Sequence, residues 1–154
     1  MSDIILDNTY LILLLPLWIF LIIMGGRFFS VYVNKRIIYM LTLLSSFLGA
    51  LLCSVSLLKV GETIEQSFPF IKINNFAITC GVHIDKLSLL VALCLFVISF
   101  FIQIFAISYM KNEEKNYRFF AYLNMFNFTM AGLLFSPNLF QMYFFWELVG
   151  VMSY

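Results

Sequence analysis

The chain has 154 residues, of which 63% are hydrophobic and only 11% charged, with a net charge of +1. A soluble domain carries roughly 25% charged residues, so this sequence cannot build a water-facing surface and is read as one that folds in lipid. The near-neutral balance gives no footing for nucleic acid or for an acidic partner.

In chain order, a first apolar segment runs from about Tyr10 to Gly26, with Pro16 inside it. Membrane helices tolerate an internal proline when neighbours satisfy the freed backbone. A cleaved signal peptide needs a basic start and a small-residue cleavage site. Here the start carries Asp3 and Asp7, and the run ends at Gly25-Gly26-Arg27. No Arg-rich transit peptide precedes it, so the segment is expected to stay in the mature protein. A second uncharged segment follows from about Ile37 to Leu58. The stretch from Lys59 to Lys86 is polar. Within it Phe70-Ile71-Lys72-Ile73 and Phe76-Ala77-Ile78-Thr79 flank Asn74-Asn75. Partial alternation around a pair that tolerates a tight turn predicts a short β-hairpin on the membrane surface.

A third segment spans about Leu87 to Tyr109, and a charged link from Lys111 to Arg118 follows. The fourth runs from about Phe119 to Phe135. Ser136-Pro137-Asn138 breaks it, because proline disfavours helix in the residue before it. The fifth starts at Leu139 and is still apolar at Tyr154, so its helix is expected to continue beyond that residue. The expectation is an all-α integral membrane protein with about five transmembrane helices and a hairpin between helices two and three. Lys and Arg set orientation. Arg27, Lys35, Arg36, Lys111, Lys115 and Arg118 fall on the links after segments one and three, against Lys59, Lys72 and Lys86 on the other side. The first and third links should therefore face the cytoplasm or matrix.

Glu147 is the ionisable residue inside an apolar span, in Phe144-Phe145-Trp146-Glu147-Leu148-Val149-Gly150. A charge at mid-membrane costs about 3 kcal/mol or more, and such groups often relay protons. The competing reading is a structural Glu that bonds a neighbouring helix or reaches the interface. Tyr143, Phe144, Gly150 and Val151 share its face, and Gly150 admits a close backbone. A carboxyl alternating between a desolvated state and one beside a mobile cation takes up and releases a proton. Every Lys and Arg of this chain lies in a link, so that cation must come from elsewhere. Thr42, Ser45, Ser46, Ser99, Gln103, Asn124, Asn127 and Thr129 also fall in spans. Ser and Thr usually bond their own helix backbone; Gln103, Asn124 and Asn127 point to helix–helix bonds or to a hydrated path. Cys53, Cys80 and Cys94 show no paired spacing and read as packing residues. His83 stands alone in a polar loop, and no metal site is expected.

Several blocks now resemble a known family, chain 5 (chain L in bacteria) of NADH:quinone oxidoreductase, respiratory complex I. They are Phe68-Pro69-Phe70 through Asn75-Phe76, Ile84-Asp85-Lys86-Leu87-Ser88-Leu89, Ser108-Tyr109-Met110, Arg118-Phe119-Phe120-Ala121-Tyr122, Asn138-Leu139-Phe140-Gln141-Met142-Tyr143, and Phe145 through Tyr154 with its W-E-x-V-G-like core. The resemblance covers most of 68–154; the first two segments match only in hydropathy. It implies an N-terminal fragment of a proton-translocating subunit, with Glu147 as the family's glutamate on the fifth helix. The family pairs that glutamate with a lysine on a later helix, which this chain lacks. Many bacterial members carry His where Gln103 stands, so no titrating group is carried over to the third segment. The resemblance divides the chain into two N-terminal helices (1–61), the hairpin with the third helix (62–110), and the start of the antiporter-like domain (111–154).

It further implies proton transport coupled to quinone reduction, with NADH, FMN, Fe–S clusters and quinone handled by other subunits. No cofactor or catalysis is expected of this chain alone. Partners would be other membrane subunits of complex I, the lipid bilayer and the missing C-terminal part of the same protein, with no nucleic acid. The expected site is a bacterial cytoplasmic or mitochondrial inner membrane. Two other readings share these residues: the large subunit of a Mrp-type cation/proton antiporter or a membrane-bound hydrogenase, and a truncated structural fragment without function.

Overall fold

A computed structural model describes residues 2–28, 34–61, 63–73, 76–111, 113 and 116–154. The elements are α1 (Ser2–Phe28), α2 (Lys35–Lys59), β1 (Ile64–Ile73), β2 (Phe76–Ile84), α3 (Lys86–Tyr109), α4 (Asn116–Leu134) and α5 (Leu139–Ser153). Among the described residues, five helices and one two-stranded hairpin thus appear in the expected order. Among the described residues, three stretches are long and apolar enough to cross a bilayer: Asn8–Gly26, Lys35–Lys59 and Lys86–Tyr109. The other two helices fall short for different reasons. The 19 residues of α4 include Asn116, Arg118, Asn124 and Asn127. The 15 residues of α5 rise only about 22 Å, against a hydrocarbon core of about 30 Å.

The bundle is held by small residues where helices meet. The buried face of α2 is Ile38, Thr42, Ser45, Ser46, Gly49, Cys53 and Ser56, a run of mostly small side chains at helical spacing. It packs on α3, where a Cβ at Gly49 would lie 2.6 Å from the Phe96 ring. Helix α1 lies against both α2 and α4, and α4 carries α5. It continues unbroken through Pro16. Two apolar clusters fill the interior. One gathers Ile12, Cys53, Leu89, Phe96, Ala131 and Phe135 with Val82 and Ile84 of the hairpin. The other gathers Ile19, Ile23, Ile38, Ala106, Phe120 and Ala121.

The two basic links meet at one end of the bundle. Lys35 Nζ donates to the Glu113 carbonyl at 3.3 Å, and Asn116 Nδ2 to the Tyr39 hydroxyl at 2.6 Å. The hairpin joins the other ends of α2 and α3. Lys115 and the side chains of Arg27 and Lys72 lie outside the described residues.

The hairpin is longer than its sequence pattern predicts and is not confined to the surface. Its strands pair antiparallel from Ile64↔Ile84 to Ile73↔Phe76, with an irregularity between Pro69 and Ile71. The Asn74-Asn75 turn lies outside the described residues. The base is sunk into the bundle, with Val82 3% and Ile84 0% exposed. At Ile84 the strand gives way to α3 through a capping box: Asp85 accepts from the Ser88 amide at 2.9 Å, and Ser88 Oγ receives the Asp85 amide at 3.1 Å. Two orphan donors are satisfied at once, which is the physical content of the Asp85–Ser88 spacing.

Candidate functional site

Helix α5 carries Glu147, and its position is set from its N-terminal end. Asn138 caps it, accepting from the Gln141 amide at 2.8 Å. The same Asn138 donates to the Thr79 carbonyl at 2.6 Å and lies 3.2 Å from Thr79 Oγ1. One turn on, the Gln141 side-chain amide pairs with the backbone of Gly81 in both directions. Its Oε1 accepts from the Gly81 amide and its Nε2 donates to the Gly81 carbonyl, each at 2.9 Å. Just before the break, the Phe135 carbonyl accepts from the His83 amide at 2.9 Å.

These contacts form one pattern. In an antiparallel pair, alternate residues aim their backbone groups away from the partner strand. On β2 those residues are Thr79, Gly81 and His83, and each meets a group from the 135–141 segment. The helix break therefore covers the outer edge of the hairpin, which would otherwise offer unpaired donors and acceptors. Gly81 is glycine because a Cβ there would strike the Gln66 carbonyl and come 2.7 Å from Ser67 Cα.

Farther along α5, the Phe145 ring lies on Gly132 of α4, 2.5 Å from where a Cβ would stand, and meets the Phe128 ring edge-on at 5.8 Å. No residue of α5 is buried among the described residues. Glu147 is exposed on the outer face of the bundle. One turn earlier on the same helix stands Tyr143, and the Tyr143 and Trp146 rings lie 6.0 Å apart. Among the described residues no Lys or Arg pairs with Glu147; His83 Nδ1 lies 4.0 Å from a carboxylate oxygen of Glu65. A Cβ on Gly150 would meet nothing within 4 Å, and Tyr154 is fully exposed. The arrangement is a carboxylate and a phenol on an anchored helix, on a face that the other described residues leave open.

The other polar residues expected in spans are all buried. Thr42, Ser45, Ser46, Gln103, Asn124, Asn127 and Thr129 are 0% exposed and Ser99 3%. Ser99 donates to Asn127 Oδ1 across α3 and α4 at 2.6 Å, a helix–helix bond of the kind anticipated. Thr42 and Thr129 bond carbonyls of their own helices. None of these residues is on α5. Asn138 and Gln141 stand in the sequence only as part of a recognised block, and their role as anchors emerges from the fold.

Apolar helices, buried small-residue seams and a covered hairpin edge define an integral membrane chain. Comparison with known proteins shows what the chain is similar to. The description "NADH-Ubiquinone oxidoreductase (complex I), chain 5 N-terminus" matches residues 70–120. Curated relatives include NAD(P)H-quinone oxidoreductase subunit 5, chloroplastic, of Chara vulgaris, 42% identical over 56% of this chain and 13% of the relative. The protein of the same name from Crucihimalaya wallichii is 34% identical over 97% of this chain and 21% of its own length. That from Dioscorea elephantipes is 32% identical over 95% and 20%. The chain is thus similar to the N-terminal region of complex I chain 5, and it spans about a fifth or less of the length of these relatives.

Proposed function

We propose that this chain forms the N-terminal part of a proton-translocating membrane subunit of an NAD(P)H–quinone oxidoreductase, with Glu147 as a proton relay. The observation that supports it best is the placement of Glu147. Its helix is anchored by side-chain bonds to hairpin backbone, while the carboxylate itself faces outward beside Tyr143. An ionisable group on an apolar helix is retained where it meets water or a partner charge. The open face gives room for a cationic partner from another helix, whether of the same protein or of a neighbouring subunit.

In this reading α4 and α5 also cross the bilayer, giving five spans. Residues 1–61 form two N-terminal helices, 62–110 the hairpin with the third helix, and 111–154 the start of an antiporter-like domain. Electron transfer and its cofactors belong to other subunits, and proton movement is coupled to quinone reduction there. The named relatives are chloroplastic, so a chloroplast membrane joins the bacterial cytoplasmic and mitochondrial inner membranes as its location.

The test is Glu147→Gln in the assembled complex in sealed vesicles, with proton uptake and quinone reduction followed together. The expected result is a lower ratio of protons moved per quinone reduced, with Glu147→Asp retaining part of it. An unchanged ratio removes Glu147 from the pathway and leaves a structural glutamate. Proton uptake driven by a sodium gradient, without quinone reduction, would instead favour a cation/proton antiporter.

A further inference from the structure

We propose that the polar layer between α2, α3 and α4 is a bound-water site, in which trapped water bridges Gln103, Asn124 and Asn127 to Ser45 and Ser46. The inference rests on burial and hydrogen-bond geometry and is independent of the role given to Glu147.

The layer is closed at both ends by hydrocarbon. On α2 the order is Ile38, then Thr42, Ser45 and Ser46, then Cys53. On α3 it is Phe96, then Ser99 and Gln103, then Ala106. On α4 it is Phe120 and Ala121, then Asn124 and Asn127, then Ala131. In every case the flanking residues belong to the two separate apolar clusters. Two contacts set the registers. Gly49 abuts Phe96, so in antiparallel helices Ser45 and Ser46, about one turn away, come level with Ser99. Ser99 bonds Asn127, so Gln103 and Asn124, each about a turn farther on, share the next level. On α1 the buried Pro16 lies between Ile12 and Ile19, and proline leaves the carbonyl four residues back without its helical donor.

Within this layer six buried side-chain atoms have no partner among the described residues: Ser45 Oγ, Ser46 Oγ, both Nε2 and Oε1 of Gln103, Asn124 Oδ1 and Asn127 Nδ2. The two serines depart from the habit of their neighbours. Thr42, Ser54 and Thr129 each donate to a carbonyl of their own helix, whereas Ser45 and Ser46 do not. The unpartnered set holds amide donors, amide acceptors and hydroxyls that serve as either. Water matches all of these, and a buried water typically makes about three hydrogen bonds. Six atoms therefore correspond to about two waters. Buried polar atoms are rarely left unpaired, and in a lipid-embedded bundle bulk water cannot reach them.

The experiment is solid-state NMR of the full-length protein in lipid bilayers, reading transfer from water protons to side-chain amides. Cross-peaks from water are expected at both Gln103 Nε2 and Asn127 Nδ2, and none at the backbone amide of Ala92 in the neighbouring apolar cluster. Their absence from either side-chain amide overturns the proposal and means that the side chains satisfy one another in a dry layer. In the Ser45→Ala/Ser46→Ala variant the Gln103 cross-peak should fall by about half or more, with Ala92 unchanged. An undiminished peak there would remove the serines from the site and overturn the bridge. Should that variant fail to fold, the wild-type spectrum alone decides.

Discussion

Replacing Gln141 by Leu tests the anchor on which the position of α5 depends. The side chain keeps its bulk and loses both bonds to Gly81. A net hydrogen bond contributes about 0.5–1.5 kcal/mol, so the loss of two should weaken the docking of α5 on the hairpin by roughly 1–3 kcal/mol. Each 1.4 kcal/mol is about tenfold in an equilibrium. The Gly81 amide, which points away from β1 and has Gln141 Oε1 as its acceptor, should then exchange with deuterium roughly 5- to 150-fold faster. Exchange measured by mass spectrometry on the protein in lipid nanodiscs reads this directly. Gln141→Glu separates the two bonds. It keeps an acceptor for the Gly81 amide but sets a carboxylate oxygen against the Gly81 carbonyl, so protection of that amide should survive better than in the Leu variant. Unchanged exchange in a folded Gln141→Leu protein would refute the reasoning, because the edge of β2 would then be satisfied without α5.

Three further outcomes follow from the geometry. Gly132→Ala drives a methyl into the Phe145 ring and should cost about 1–3 kcal/mol by overpacking; adding Phe145→Leu should recover part of that loss in thermal unfolding, and purely additive effects would count against the contact. Asp85→Ala removes the N-cap of α3 and should cost about 1 kcal/mol. The Ser88 side chain and amide hold the Asp85 carboxyl below its usual value of 3.8, so its contribution is present above that pH and is lost as pH falls through the lower folded value. The gap between wild type and Asp85→Ala should therefore narrow as pH falls, and a gap that does not narrow in acid would refute the assignment. For Glu147→Gln, the ratio of protons moved to quinone reduced should fall in the assembled complex while the fold, read by circular dichroism, stays intact.

The helices were legible because hydropathy is a local signal. Each apolar segment lies within or against the helix observed, and Ser136-Pro137-Asn138 breaks the chain between Leu134 and Leu139. The full hairpin was not legible. Glu65, Gln66 and Ser67 look like a polar link, yet they pair with His83, Val82 and Gly81, residues about 15 positions away. The anchor was hidden for the same reason: nothing near Gln141 announces that its partner is the backbone of Gly81. The eight polar residues singled out in the spans were visible, and their burial follows from the small-residue faces of α2 and α4. Their grouping into one layer needed the helix registers. Glu147 stood out in the sequence, whereas its exposure depends on what else covers α5.

The covered hairpin edge also constrains the order of assembly. Thr79, Gly81 and His83 leave the ribosome more than fifty residues before Asn138 and Gln141 do. During that interval the outer edge of β2 has nothing from its own chain to close it, although α3 and α4 are being made. Domains and their parts form from the N-terminus as synthesis proceeds, so the last pairing waits for the break at Pro137. Docking of α5 then reports that the hairpin in front of it has already formed in register. A misregistered hairpin would present the wrong backbone groups at positions 79, 81 and 83, and the helix that carries Glu147 would find no seat.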